Sequence, residues 1–104
     1  MRLSGETTKQ GSHAMVALMA KFVVPNSLGI HARPAALLVR AINRFDADIR
    51  VRNGGGFVNG KSLMEWMSLG AARGTVLTVS ASGKDAVEAM DEIESLFKTS
   101  FYES

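Results

Sequence analysis

The chain changes its hydrophobic period most abruptly across Pro25-Asn-Ser-Leu-Gly-Ile-His31-Ala-Arg33-Pro34-Ala-Ala. Before it, Val16 to Val24 is apolar and ends in strand-forming residues. After it, Ala35, Leu38, Ile42 and Phe45 recur at helical spacing, with Arg40, Asn43 and Arg44 on another face. Pro34 is tolerated in a first turn, where its missing N–H loses no bond, and it restricts Arg33 before it. The helix is therefore expected to begin between Ala32 and Pro34. A strand that turns directly into an amphipathic helix needs further strands to complete a sheet.

The rest of the chain supplies them. Asp48 to Arg52 alternates, with Ile49 and Val51 inward and Arg50 and Arg52 outward. Asn53-Gly54-Gly55-Gly56 signals a turn, and Phe57-Val58-Asn59 reads as a short return strand. Ser62-Leu-Met-Glu65 resembles a capping box opening a short helix with Leu63, Met64, Trp66 and Met67. Thr75 to Ala81 is the best strand, with Leu77 and Val79 on one face. Ser82-Gly-Lys-Asp85 again looks like a cap, before a helix with Ala86, Met90, Ile93 and Phe97 on one face. Phe101 to Ser104 reads as a short tail. The order is β-α-β-β-α-β-α. Four strands with helices gathered on one face make an α+β open-faced sandwich. Pattern alone does not separate this from a ferredoxin-like sheet with an added helix.

Residues 1–14 are polar, rich in Gly, Ser and Thr, and aperiodic, so they read as a flexible extension. Gly11-Ser12-His13 also resembles a cloning-vector remnant. Residues 15–104 read as a single domain. The chain has no cysteine, which removes disulfides, thiolate catalysis and thiolate metal sites. His13 and His31 are the only histidines and are far apart, so no metal and no cofactor is expected. A net charge of +2 does not by itself argue for nucleic acid. Apolar runs fall far short of the roughly 18–20 residues needed to span a bilayer, and no secretory signal is evident, so the expected location is cytoplasmic.

A helix start has unpaired N–H groups and the positive end of the macrodipole, and it attracts anions. His31 there, beside Arg33, suggests a group that handles phosphate. An imidazole nitrogen is a competent nucleophile near neutral pH, and covalent histidine intermediates divide a hard transfer into two easier ones. Arg33 and the amides of Ala32 and Arg33 could hold the group, because Pro34 cannot donate. On spacing alone the commoner case is a surface histidine near a helix start. Ser62 reads as an N-cap whatever else it does. Leu63, Met64, Trp66 and Met67 cannot all face one core from so short a helix, so some apolar surface is expected outside, as at a partner site. Arg44, Arg50, Arg52 and Lys61 read as solvated residues.

Two stretches together carry a resemblance. Asn26-Ser-Leu-Gly-Ile-His31-Ala-Arg33-Pro34-Ala resembles the active-site stretch of HPr, the histidine-containing phosphocarrier family of the bacterial sugar phosphotransferase system. Asn59-Gly-Lys61-Ser62-Leu-Met-Glu-Trp-Met-Ser-Leu69-Gly70 resembles that family's regulatory-serine stretch. Their separation fits the family, and the resemblance runs from about Lys21 to Phe97. It implies a four-stranded antiparallel sheet with three helices on one face. It implies that His31 takes a phosphoryl group on Nδ1 from enzyme I, charged by phosphoenolpyruvate, and passes it to a histidine of an enzyme IIA domain. Arg33 would neutralise the group and the amides around Ala32 would hold its oxygens. Ser62 would be the site for HPr kinase/phosphorylase, with a transcriptional regulator as a further partner. Ala36, Leu63, Met64 and Met67 would form the docking surface of a monomer that neither binds nucleic acid nor inserts into membranes.

Three features depart from the family pattern. Some members carry asparagine three residues before the histidine, where this chain has Leu28. Trp66 is bulky for its position, a difference expected to tune partner choice. The extension before about Met15 is unusual. A histidine at position 31 argues against the catabolite-repression paralogue that lacks the phosphoacceptor. Two other readings stay open: a regulatory binding module of a nitrogen-related or catabolite-control branch acting through Ser62, and a small nucleic-acid-binding domain using Arg44, Arg50 and Arg52.

Overall fold

A computed structural model describes residues 4–10 and 13–104, with side chains described from Ala17 onward. The elements are β1 (Ser4–Gln10), β2 (His13–Val23), α1 (Ala32–Ile42), β3 (Asp48–Arg52), β4 (Val58–Asn59), α2 (Leu63–Ser68), β5 (Val76–Ser82) and α3 (Ala86–Lys98), followed by a 3-10 turn at Ser100–Tyr102. The sheet order is β1-β2-β5-β3-β4, and every neighbouring pair is antiparallel. β2 and β3 flank β5 and run parallel to each other, which requires the crossover through α1. The connection from β4 through α2 to β5 is the second crossover.

Four of these strands, β2 to β5, with the three helices, form the expected open-faced sandwich. The structure adds a fifth strand that the sequence pattern did not predict. Ser4–Gln10, read as part of an aperiodic extension, pairs along β2 from Ser4 opposite Met19 to Gln10 opposite His13. Thr7 and Thr8 suit extended backbone, but without apolar alternation such a segment leaves no period to read. The vector-like Gly11-Ser12 pair lies outside the described residues.

The core sits between the sheet and the helices. Ala20, Phe22 and Val24 from β2 and its end, Ile49 and Val51 from β3, and Leu77, Val79 and Ala81 from β5 are all buried on one face. Lys21, Val23, Arg50 and Val76 between them are exposed. Against that face pack Ala35, Leu38 and Ile42 of α1, Trp66 of α2, and Ala89, Met90, Ile93, Leu96 and Phe97 of α3. Each fully buried aliphatic or aromatic side chain contributes roughly 1.5–3 kcal/mol relative to exposure. Phe22 stacks on Phe97 at 4.8 Å between ring centroids, which joins β2 to α3.

Of the two predicted caps, only the one at Ser62 forms a cap bond; Asp85 makes none to α3. The Ser62 hydroxyl accepts from the Glu65 N–H at 3.3 Å, but Glu65 reaches back to the Asn59 N–H at 2.8 Å, not to that of Ser62. Asp85 sits at the start of α3, yet its carboxylate accepts from the Asp46 N–H at 2.7 Å. It thereby pins the α1–β3 connection to α3. Trp66 is fully buried, so its bulk fills the core and does not face a partner.

Candidate functional site

The loop from β2 to α1 is held by backbone bonds on both sides. Val24 donates to the Thr75 carbonyl and accepts from the Gly74 N–H, both at 2.9 Å. Ile30 donates to the Ala71 carbonyl at 2.9 Å. Gly29 has φ of +73°, and a Cβ there would run into that same carbonyl. Only glycine satisfies both conditions. The loop therefore lies directly against the segment that leaves α2.

His31 occupies the N-cap position of α1 in extended conformation, and its side chain makes no cap bond. Its carbonyl accepts from the Ala35 N–H at 3.1 Å, and its own N–H is used by the Gly29 carbonyl at 2.9 Å. Ala32 and Arg33, both exposed, follow as the first residues of the helix, and Pro34 is buried beneath them. The first turn of α1 holds no acidic residue. The geometry leaves an imidazole with 36% of its side-chain surface accessible at the positive end of an 11-residue helix.

Pattern did not reveal the partner of this imidazole. His31 Nε2 lies 2.8 Å from Glu103 Oε1 in the C-terminal tail. The same carboxylate oxygen accepts from Asn26 Nδ2 at 2.8 Å, and Asn26 Nδ2 also donates to the Gly29 carbonyl at 2.7 Å. Hydrogen bonds from His31 and Asn26, with the charge of Arg33 nearby, hold the Glu103 carboxyl below its ordinary value, against a smaller opposing effect of desolvation. Asn26 is fully buried, and its Oδ1 has no partner among the described residues. Glu103 lies in the segment that reads as a short tail in the sequence. With His31 and Glu103 separated by 72 positions in the chain, no local spacing could have joined them.

The other candidates sort by exposure. Ala36 is half-buried on α1, and α1 packs against α2. Met64 is 72% exposed, and Leu63 and Met67 are partly exposed, so the short helix does present apolar surface outward. Leu28 is exposed too. Ser62 is half-buried under its cap bond. The arginines of the nucleic-acid reading all have partners within the chain. Arg44 pairs with Glu92 at 3.3 Å, Arg50 with Asp48 at 3.2 Å, and Arg52 lies over the Phe57 ring at 4.7 Å. Lys61, read as solvated, donates to the Phe45 carbonyl at 2.7 Å. Among the described residues no cluster of acidic or histidine side chains could hold a metal ion.

Comparison with known proteins agrees with this layout. Residues 18–99 match the family model described as PTS HPr component phosphorylation site. The chain is 44% identical over 80 residues to a phosphocarrier protein HPr of Treponema pallidum, covering 77% of this chain and 91% of that one. It is 37% identical over 86 residues to a multiphosphoryl transfer protein of Haemophilus influenzae, covering 80% of this chain but only 17% of that protein's length. The crystal structure of HPr-C-His from Thermoanaerobacter tengcongensis superposes with a TM-score of 0.79 at 38% identity, covering 83% of this chain and 97% of that one. The family match takes in His31, Ser62 and all three α-helices, and the chain belongs to the HPr family of the phosphotransferase system.

Proposed function

We propose that this chain is a phosphoryl carrier and that His31 is its acceptor. The observation that carries the reading is the accessible imidazole at the N-terminus of α1. Phosphoryl transfer demands positioning and charge stabilisation more than covalent machinery. Arg33 and the amides of Ala32 and Arg33 supply both, since Leu28 and Pro34 offer no polar donor. A bond forms from His31 Nδ1 to phosphorus as the bond to a donor phosphohistidine nitrogen breaks, and the donor nitrogen keeps the electron pair. Enzyme I is the donor, and a histidine of an enzyme IIA domain is the next acceptor. Ala36, Leu63, Met64 and Met67 form the surface they share. The carrier works in the cytoplasm as a monomer; among the described residues no helix is long and apolar enough to cross a membrane.

Ser62 is the regulatory site in this reading, phosphorylated by HPr kinase/phosphorylase and read by a transcriptional regulator. Its hydroxyl already caps α2, so an added phosphate changes surface charge beside Leu63 and Met64 without requiring a new fold. Incubation with enzyme I and labelled phosphoenolpyruvate tests the main reading. An acid-labile, base-stable label is expected on wild type and absent from His31→Ala. No label on wild type, or full label on the variant, overturns it. For Ser62, labelled ATP and the kinase should give an acid-stable label that Ser62→Ala abolishes.

A further inference from the structure

The tail that reaches His31 lies beyond the family match, which ends at residue 99. Directly after α3, Ser100, Phe101 and Tyr102 take φ of 56°, 55° and 59°. A non-glycine residue in this left-handed region costs on the order of 1–2 kcal/mol, so three in succession persist only where the surroundings over-determine them. Phe101 supplies one constraint: it is fully buried, in a T-shaped arrangement with Phe97 at 4.8 Å between ring centroids. The loop before α1 supplies the other. The Ser27 N–H and hydroxyl donate to the Ser104 carbonyl at 2.9 and 3.2 Å. The turn thus folds the chain back and sets Glu103 between Asn26 and His31.

A carboxylate that receives hydrogen bonds from Asn26 and faces an imidazole nitrogen can only accept. Its lowered pKa keeps it ionised at neutral pH. The ring proton must then sit on Nε2, and a neutral ring has its lone pair on Nδ1. We propose that Glu103 is a positioning residue for His31: it fixes the ring proton on Nε2 and presents Nδ1 to phosphorus, and the left-handed turn at Ser100–Tyr102 exists to hold it there. This rests on the phosphocarrier reading above. The Nδ1 lone pair forms the new bond to phosphorus, the donor nitrogen departs with its pair, and no proton leaves His31. The ring becomes an imidazolium still protonated at Nε2, opposite the Glu103 carboxylate. That charge keeps the proton in place, and a protonated ring is the better leaving group when the phosphoryl group moves on.

Phosphoramidate, a small phosphoryl donor that needs no partner protein, tests this directly on the full chain. Acid-labile label is followed in time for wild type, Glu103→Ala and Glu103→Gln, alongside long-range 1H–15N spectra of the neutral ring. Glu103→Ala should accept about tenfold more slowly, the loss expected for one hydrogen bond of ~1.4 kcal/mol at the acceptor. Glu103→Gln, which retains an acceptor oxygen, should recover most of that rate and remains informative if the alanine variant folds poorly. The spectra should place the proton on Nε2 in wild type and on both nitrogens in Glu103→Ala. Wild-type rates and unchanged ring protonation in Glu103→Ala would overturn the role of Glu103 while leaving His31 as acceptor. Absence of label from wild type, or its persistence in His31→Ala, would instead overturn the carrier reading.

Discussion

The indole Nε1 of Trp66 donates to the Gly60 carbonyl at 2.6 Å, and this bond fastens the short helix α2 to the turn that precedes it. Gly60 is itself wedged against β3: its N–H donates to the Ile49 carbonyl at 2.7 Å, and a Cβ at Gly60 would lie 2.6 Å from Ile49 Cγ2. Trp66 is fully buried. Replacement by alanine should cost about 3–5 kcal/mol through the cavity. Replacement by phenylalanine keeps most of the volume but strands a buried carbonyl, which costs about 1–3 kcal/mol. Urea unfolding of both variants measures this. A Trp66→Phe variant as stable as wild type would show that the bond contributes nothing.

The glycines separate two costs. Gly29 and Gly54 have similar φ, +73° and +76°, but a Cβ at Gly54 meets nothing within 4 Å, whereas at Gly29 it meets the Ala71 carbonyl. Gly54→Ala should therefore cost only about 1 kcal/mol from backbone conformation. Gly29→Ala carries the same cost and must also break or bend the Ile30–Ala71 bond, so it should be the more destabilising by about 1 kcal/mol or more. It should also slow phosphoryl acceptance at His31, because that bond positions the loop. Equal urea midpoints for the two variants would remove the close approach at Gly29 as a cause.

Much of this frame was legible because periodicity reports burial. The faces carrying Ala35, Leu38 and Ile42, or Leu77 and Val79, are the faces that the sheet and helices cover. Local spacing also located the Ser62 cap and its Glu65 N–H partner, but not where the two acidic side chains go. Glu65 and Asp85 each spend their carboxylate on the backbone of a different segment, at Asn59 and Asp46. Trp66 was harder, since a four-residue apolar cluster on a short helix does not say which member turns inward. Glu103 was out of reach, because its role depends on a left-handed turn made by Ser100, Phe101 and Tyr102, none of which is glycine. A polar strand such as Ser4–Gln10 has no apolar stripe to announce it.

Acid stability should carry the signature of Glu103. Its carboxyl is held below the ordinary 4.5 by His31 first, then Asn26. A depressed folded-state value means that the unfolded chain binds the proton more readily. The stabilisation is therefore fully present above 4.5 and is lost as pH falls through the lower folded value. Thermal unfolding of wild type from neutral pH into the acid range should show a steeper decline below 4.5 than Glu103→Gln, which has no proton to take up. Parallel acid limbs in the two proteins would mean that the carboxylate is not coupled to folding.

Met64 tests the docking surface separately from the chemistry. Its side chain is 72% exposed on α2, while Trp66 carries the helix's burial. Met64→Lys should leave stability within about 0.5 kcal/mol, the usual range for an exposed site. It should leave acceptance from phosphoramidate unchanged, because that small donor touches only the region around His31. Acceptance from enzyme I should fall by about tenfold or more, since burying an unpaired lysine in an apolar contact carries a desolvation cost. The comparison of the two donors is the measurement. Loss with both would place Met64 in the acceptor site, and loss with neither would move the docking surface elsewhere.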